Sequence, residues 1–170
     1  GPRDHVGIHM PNCADYAVAL YAIAELGAVS VPLNARFKAF ELGFVIGHSD
    51  MRVLLTADRG PAQAGDFRLL AEVLPTLAGQ DAARLDVPGA PALRQVVDLG
   101  GGDRPGILGR AVFEAGAATV DPAEVDLLQR RVRVRDPGVL MYTSGTTARP
   151  KGCLITHEAI VRQARMAQAR

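Results

Sequence analysis

Three short runs rich in β-branched and apolar residues, Val6-Gly7-Ile8-His9-Met10, Val29 to Leu33 and Arg52-Val53-Leu54-Leu55-Thr56, are separated by two longer helix-like stretches. This order of strand, helix, strand, helix, strand constrains the fold more than any other feature. A connection long enough to hold a helix returns the chain to the end of the sheet it left, so the strands it joins run parallel. The expected fold is α/β, a mostly parallel sheet with packed helices. For the first helix, Pro11-Asn12 offers an N-cap with Asp15 in the capping-box position, and the helix is predicted from about Cys13 to Leu26. Gly27 stands where a left-handed residue ends a helix. The helix body AVALYAIA is apolar all round, which predicts burial on more than one face. The second helix is predicted over Phe37 to His48, with Phe37, Phe40 and Phe44 on one stripe.

Between Gly60 and Gly109 glycines and prolines thicken, including Pro88-Gly89-Ala90-Pro91 and Gly100-Gly101-Gly102. This stretch reads as loop-rich surface with one helix around Phe67 to Leu74 and one strand from Gln95 to Leu99. Asp121-Pro122-Ala123-Glu124 combines an N-cap, a proline at the first helical position and a capping-box glutamate, predicting a helix over Pro122 to Arg131. Val139 to Tyr142 is the next strand, Leu154-Ile155-Thr156 another, and Thr156 can cap a helix from His157. That helix meets no stop signal by Arg170. Residues 1–170 are therefore expected to be an incomplete N-terminal part of a longer protein.

Composition narrows the function. With 19 basic and 18 acidic side chains in 170 residues, the formal net charge is +1, and no strong field points to nucleic acid or an anionic membrane. The apolar stretch Ala17 to Ala24 is too short to span a bilayer, so no transmembrane segment is expected. Cys13 and Cys153 form neither a disulfide framework nor a zinc pattern, which suits a reducing, cytoplasmic setting. Beside Leu154 and Ile155, Cys153 reads as a core thiol. His5 and His9 have metal-like spacing, but they flank a buried-looking strand with no carboxylate partner assembled, and read as two scattered histidines. Arg130, Arg131, Arg133 and Arg135 alternate in part with Val132 and Val134, as a segment with one solvated face would.

The chemistry concentrates in YTSGTTARPKG, residues 142 to 152, directly after Val139-Leu140-Met141. Its glycines let backbone N–H groups converge, its hydroxyls add adjustable donors, and Lys151 adds a mobile positive charge, a combination suited to a polyphosphate. The position after a buried strand agrees, because ligands of open α/β sheets sit beyond the carboxyl ends of strands. A Walker A loop does not fit, since Pro150 holds the place of its second glycine and Gly152 that of its hydroxyl.

This segment resembles the signature loop of the adenylate-forming superfamily, usually YTSGTTG-x-PKG, and matches it at ten of eleven positions. The stretch from Val6 to Thr56 resembles the opening of that family's large N-terminal domain, and Gly152 to Ile160 resembles the strand and helix after the loop. The resemblance is greatest to acyl-CoA synthetases. It implies a fatty-acid-type ligase reaction, in which a carboxylic acid and ATP give an acyl-adenylate and then a thioester with coenzyme A. It further implies that Thr143, Ser144, Gly145, Thr146 and Thr147, with Ala148 and Gly152 completing the loop, wrap the phosphates. Lys151 would assist the reaction, and Mg²⁺ would touch Thr143. Ala148 stands where the family has Gly or Ser. The adenine-pocket, magnesium-glutamate and ribose-binding motifs, and the late lysine, are expected beyond Arg170. The alternative is a non-catalytic nucleotide-binding or structural α/β module derived from the family.

Overall fold

The computed structural model describes residues 1–57, 67–102, 104–143 and 149–168. Its strands are β1 (His5–His9), β2 (Val29–Pro32), β3 (Met51–Thr56), β4 (Gln95–Asp98), β5 (Leu108–Gly109), β6 (Pro137–Thr143) and β7 (Lys151–Thr156). Its α-helices are α1 (Ala14–Glu25), α2 (Ala39–His48), α3 (Phe67–Val73), α4 (Arg110–Ala115), α5 (Pro122–Arg131) and α6 (His157–Gln168). The strands form one sheet in the order β5-β4-β3-β1-β2-β6-β7. Every neighbouring pair is parallel except β6 and β7.

Strand alternation gives the sheet two apolar faces. Val29 and Val31 of β2, Leu54 of β3, Val96 of β4 and Leu140 of β6 bury one face against Leu42, Val45 and Ile46 of α2 and Leu70 of α3. Ile8, Leu55 and Val97 bury the other against Ala19 and Ile23 of α1. The molecule thus has helices on both faces, as the alternating sequence predicts. From β1 the chain passes through α1 to β2 on one side. From β2 it passes through α2, on the opposite face, over β1 to β3. The connections leaving β1 and β2 therefore diverge at their carboxyl ends, which opens a crevice between two adjacent parallel strands.

Several local expectations hold. Asp121 caps α5 by accepting the Ala123 N–H at 2.9 Å, with Pro122 as the first helical residue. Thr156 Oγ1 accepts the Ala159 N–H at 3.3 Å and opens α6. Gly27 ends α1 with φ +67°, a left-handed conformation that a side chain would strain. Others are corrected. The N-cap of α1 is Cys13, in extended conformation and with no side-chain cap bond, so Asn12 lies one residue too early. Nor is α1 buried all round. Ala19 and Ile23 face the sheet, but Val18 and Tyr21 are 67% and 72% exposed, because no described residue covers that side. In α2 the phenylalanine stripe is not the core face. Phe40 is exposed, and Leu42, Val45 and Ile46, offset around the helix, fill the core.

The middle of the chain is loop-rich, as expected, but not surface throughout. Leu77, Leu85, Val87 and Leu93 come from turns and short helical segments, yet all are buried in the larger core cluster. The strand β5 at the end of this stretch and the helix α4 just after it leave no periodic signal. Cys153 is corrected too. It lies exposed on β7, the edge strand, not in the core. The arginine run divides between the last turn of α5, which holds Arg130 and Arg131, and an exposed turn in which the Arg133 N–H donates to Asp136 Oδ2 at 2.8 Å. His5 Nδ1 bonds to the Ser49 carbonyl oxygen, and His9 is wholly buried at the end of β1.

Candidate functional site

A cleft of about 510 Å³ opens at the carboxyl ends of β1, β2 and β6. Its walls come from the turn between β1 and α1 (Met10, Asn12), from the first turn of α1 (Tyr16), from the residues after β2 (Leu33, Asn34) and from the end of β6 (Met141, Tyr142). The crevice predicted by the diverging connections is thus a physical cavity. Among the lining residues, Asn34 Oδ1 accepts the Arg36 N–H at 2.9 Å, which fixes the turn leaving β2. Burial pushes the Tyr16 phenol above its ordinary pKa.

β6 ends beside this crevice at Thr143, and β7, antiparallel to it, begins at Lys151. Val139 pairs with Ile155, Tyr142 with Gly152 and Thr143 with Lys151. Directly opposed residues of an antiparallel pair project on the same side, with Cβ atoms about 4.5–5.5 Å apart. The Thr143 hydroxyl and the Lys151 ammonium therefore emerge together, on the sheet side that Met141 shares. Both residues are exposed, and Lys151 enters no ion pair among the described residues. Ser144, Gly145, Thr146, Thr147 and Ala148 lie outside the described residues.

Gly152 has a steric role that the sequence does not announce. A Cβ there would stand 3.1 Å from Leu140 Cδ1 and 3.3 Å from Tyr142 Cζ, because the buried phenol ring leans across β7 at this point. On the same face of the sheet that phenol meets α2, where Tyr142 Oη lies 2.8 Å from His48 Nδ1. Burial raises the Tyr142 pKa above its ordinary value, and the negative charge of Asp50 adds to the shift. Sequence reading missed His48, which is 94 positions from its partner, and no local signal could have linked the two.

The residues present fit a magnesium ion of one kind. Among the described residues no group of three or more His, Cys, Asp or Glu could cage a metal. A magnesium ion bound mainly through substrate phosphates and water needs only one or two protein oxygens, and the exposed hydroxyl of Thr143, the residue after cleft-lining Tyr142, offers one.

Comparison with known proteins agrees with this architecture. Residues 1–170 match the family model described as AMP-binding enzyme. Long-chain-fatty-acid–CoA ligase FadD15 of Mycobacterium bovis is 35% identical over 166 residues, which cover 98% of this chain and 24% of that protein. Long-chain-fatty-acid–CoA ligase FadD13 of Mycobacterium tuberculosis is 29% identical over 157 residues, covering 92% of this chain and 25% of that one. Among solved structures, a long-chain-fatty-acid–CoA ligase (FadD1) from Archaeoglobus fulgidus superposes with a TM-score of 0.63 at 25% identity, over 98% of this chain and 27% of that one. The chain thus spans about a quarter of the length of these relatives.

Proposed function

Because the chain belongs to the AMP-binding enzyme family, we propose that residues 1–170 form the phosphate-holding part of an acyl-CoA ligase. The observation that carries this reading is the opposition of Thr143 and Lys151 across β6 and β7, directly after Met141 and Tyr142, the two β6 residues that line the cleft. A hydroxyl and an ammonium leaving the sheet side by side at the carboxyl ends of parallel strands suit the β- and γ-phosphates of ATP.

In the proposed reaction a carboxylate oxygen attacks the α-phosphorus of ATP. The bond from that phosphorus to the bridging oxygen breaks, and pyrophosphate leaves. The thiol sulfur of coenzyme A then attacks the acyl carbon of the adenylate, AMP departs, and the thiol proton passes to solvent. Magnesium, when bound, neutralises charge on the phosphate oxygens. Thr143, Ser144, Gly145, Thr146 and Thr147 orient the phosphates, with Ala148 and Gly152 completing the loop. Lys151 stabilises the charge that grows on the departing pyrophosphate. This is positioning plus electrostatic stabilisation. Names of the relatives recommend fatty acids as the first acids to try. Two free cysteines suit a reducing, cytoplasmic setting. No helix among the described residues is long and apolar enough to cross a membrane.

The test uses the full-length protein that carries these residues, supplied with Mg²⁺, ATP, coenzyme A and a series of carboxylic acids from short to long chain. Pyrophosphate release that depends on the acid, followed by AMP and thioester in equal amounts, is the expected result. Failure of every acid to stimulate pyrophosphate release would refute the ligase reading. Residues 1–170 alone should release none, since the adenine, ribose and late-lysine groups of the family's motifs do not occur in them.

A further inference from the structure

One pair of rings on α2 touches the chain on both sides of residues 144–148. Phe44 and His48, four residues apart, stack with centroids 4.9 Å apart and planes inclined by 24°. On the entry side, the His48 ring meets Tyr142 edge-on at 5.9 Å, and its Nδ1 lies 2.8 Å from the phenol oxygen. On the exit side, the Arg149 guanidinium carbon lies 5.7 Å from the centre of the Phe44 ring. Tyr142 is one residue before the end of β6, and Arg149 is two residues before the start of β7.

This stack is not the main core face of α2, although Phe44 packs at the margin of the core. Leu42, Val45 and Ile46 form that face, whereas His48 is exposed and Phe44 only half-buried. Nor does the phenol meet the imidazole by chance of packing. It reaches α2 because Gly152, its partner across the ladder, presents no Cβ beneath the ring. A hydrogen bond, a ring-on-ring contact and a cation over a ring thus converge on two side chains of a single helix. All three bear on residues that bracket the hydroxyl-rich segment.

We infer that the Phe44–His48 stack is a positioning device that fixes Tyr142 and Arg149 relative to each other, and so sets the ends of the nucleotide-phosphate loop. The inference rests on the reading of that segment as a phosphate cradle. The stack touches no substrate and acts through Tyr142 and Arg149. Loosening either end leaves more conformations for ATP to order on binding, so the cost falls on nucleotide affinity and not on the acid or thiol sites. Because both ends serve one spacing, losing one contact makes the other less useful, and the two losses are less than additive.

The experiment compares His48→Leu, His48→Asn, Arg149→Ala and the double variant His48→Leu/Arg149→Ala in the full-length protein, with Phe40→Ala on the exposed side of α2 as a control. His48→Leu and Arg149→Ala should each raise KM for ATP about five- to twentyfold, with kcat and the KM values for acid and coenzyme A changed less than twofold. His48→Asn, which keeps a polar atom near the position of Nδ1, should recover most of the loss. The double variant should be little worse than the poorer single variant, and Phe40→Ala should match the wild type. An unchanged KM for ATP in His48→Leu, equal rises for all three substrates, or fully multiplicative losses in the double variant would overturn the inference. Wild-type protein that binds Mg-ATP but turns over no acid would refute the ligase reading alone. The inference would then stand or fall on whether His48→Leu weakens Mg-ATP binding in calorimetry by the same factor. Wild-type protein that does not bind Mg-ATP would overturn both.

Discussion

Thr143 and Lys151 stand directly opposite each other across the β6–β7 ladder, so that the residues bracketing the 144–148 segment are held in fixed register by backbone hydrogen bonds. The ladder makes the position of the ammonium a property of the sheet and not of a free loop.

A first prediction concerns that ammonium. In the full-length protein Lys151→Ala should slow adenylate formation by about ten- to a thousandfold, the span expected when one charge-stabilising donor is lost. Thioester formation from preformed adenylate should fall much less. Rapid-quench measurement of the two half-reactions separates them, and equal losses in both would count against a role at the phosphates.

Gly152 supplies a second. Valine at this position would push on Leu140 Cδ1 and on the Tyr142 ring, which already lie 3.1 and 3.3 Å from an ideal Cβ. Gly152→Val should cost about 1–3 kcal/mol in stability by forcing a packed ring aside. On the neighbouring exposed position, Cys153→Val should change stability by no more than about 0.5 kcal/mol. Denaturant titration of the two variants checks the contrast.

The third is a pH dependence. Tyr142 has its pKa raised, chiefly by burial and further by Asp50, so the folded state holds the phenol proton more tightly than the unfolded state does. A raised pKa contributes stability that is complete below the unfolded value, about 10, and is lost as pH climbs through the folded one. At pH 8 Tyr142→Phe should therefore be less stable than the wild type by about 1 kcal/mol, the worth of one hydrogen bond. Above about pH 10 the gap should narrow, because only the wild type carries this alkaline penalty. Melting temperatures from pH 8 to pH 11 would show two curves converging, and parallel curves would contradict the argument.

Fourth, Ser30 Oγ donates to the Gly138 carbonyl at 3.1 Å inside the molecule, beside the register pair of Ser30 with Val139 that joins β2 to β6. Ser30→Ala should cost about 1–2 kcal/mol, since it leaves a buried acceptor short of a partner. Amide exchange should quicken over residues 137–143 before it quickens in β1 or β3.

Local chemistry made much of this fold readable. The Asp121-Pro122 cap, the Thr156 cap and the left-handed Gly27 each follow from a few adjacent residues, and the α/β order follows from hydrophobic runs of two lengths. What was not readable is settled at long range. Leu85 and Leu93 enter the core from turns and carry no periodicity. The surround of α1 depends on what packs beside Val18 and Tyr21, not on the helix itself. In the site, the hydroxyls and Lys151 stand out by composition. His48 and Arg149 do not, because an exposed histidine at a helix end and an arginine in a loop acquire their roles only when β6 is laid beside β2.

That last juxtaposition has a consequence during synthesis. The side of β2 that faces β6 has no pairing partner until a segment 108 residues further on has been made. At about 5–20 residues per second, this leaves an open, apolar strand edge for some 5–20 s, long enough for a neighbouring nascent chain to dock there. β1 and β3 can pair early and give the young chain a core, but the edge of β2 stays unguarded. Translation speed through residues 33–137, and the availability of a holding chaperone in that interval, should govern the soluble yield of this protein more strongly than the stability of its finished sheet.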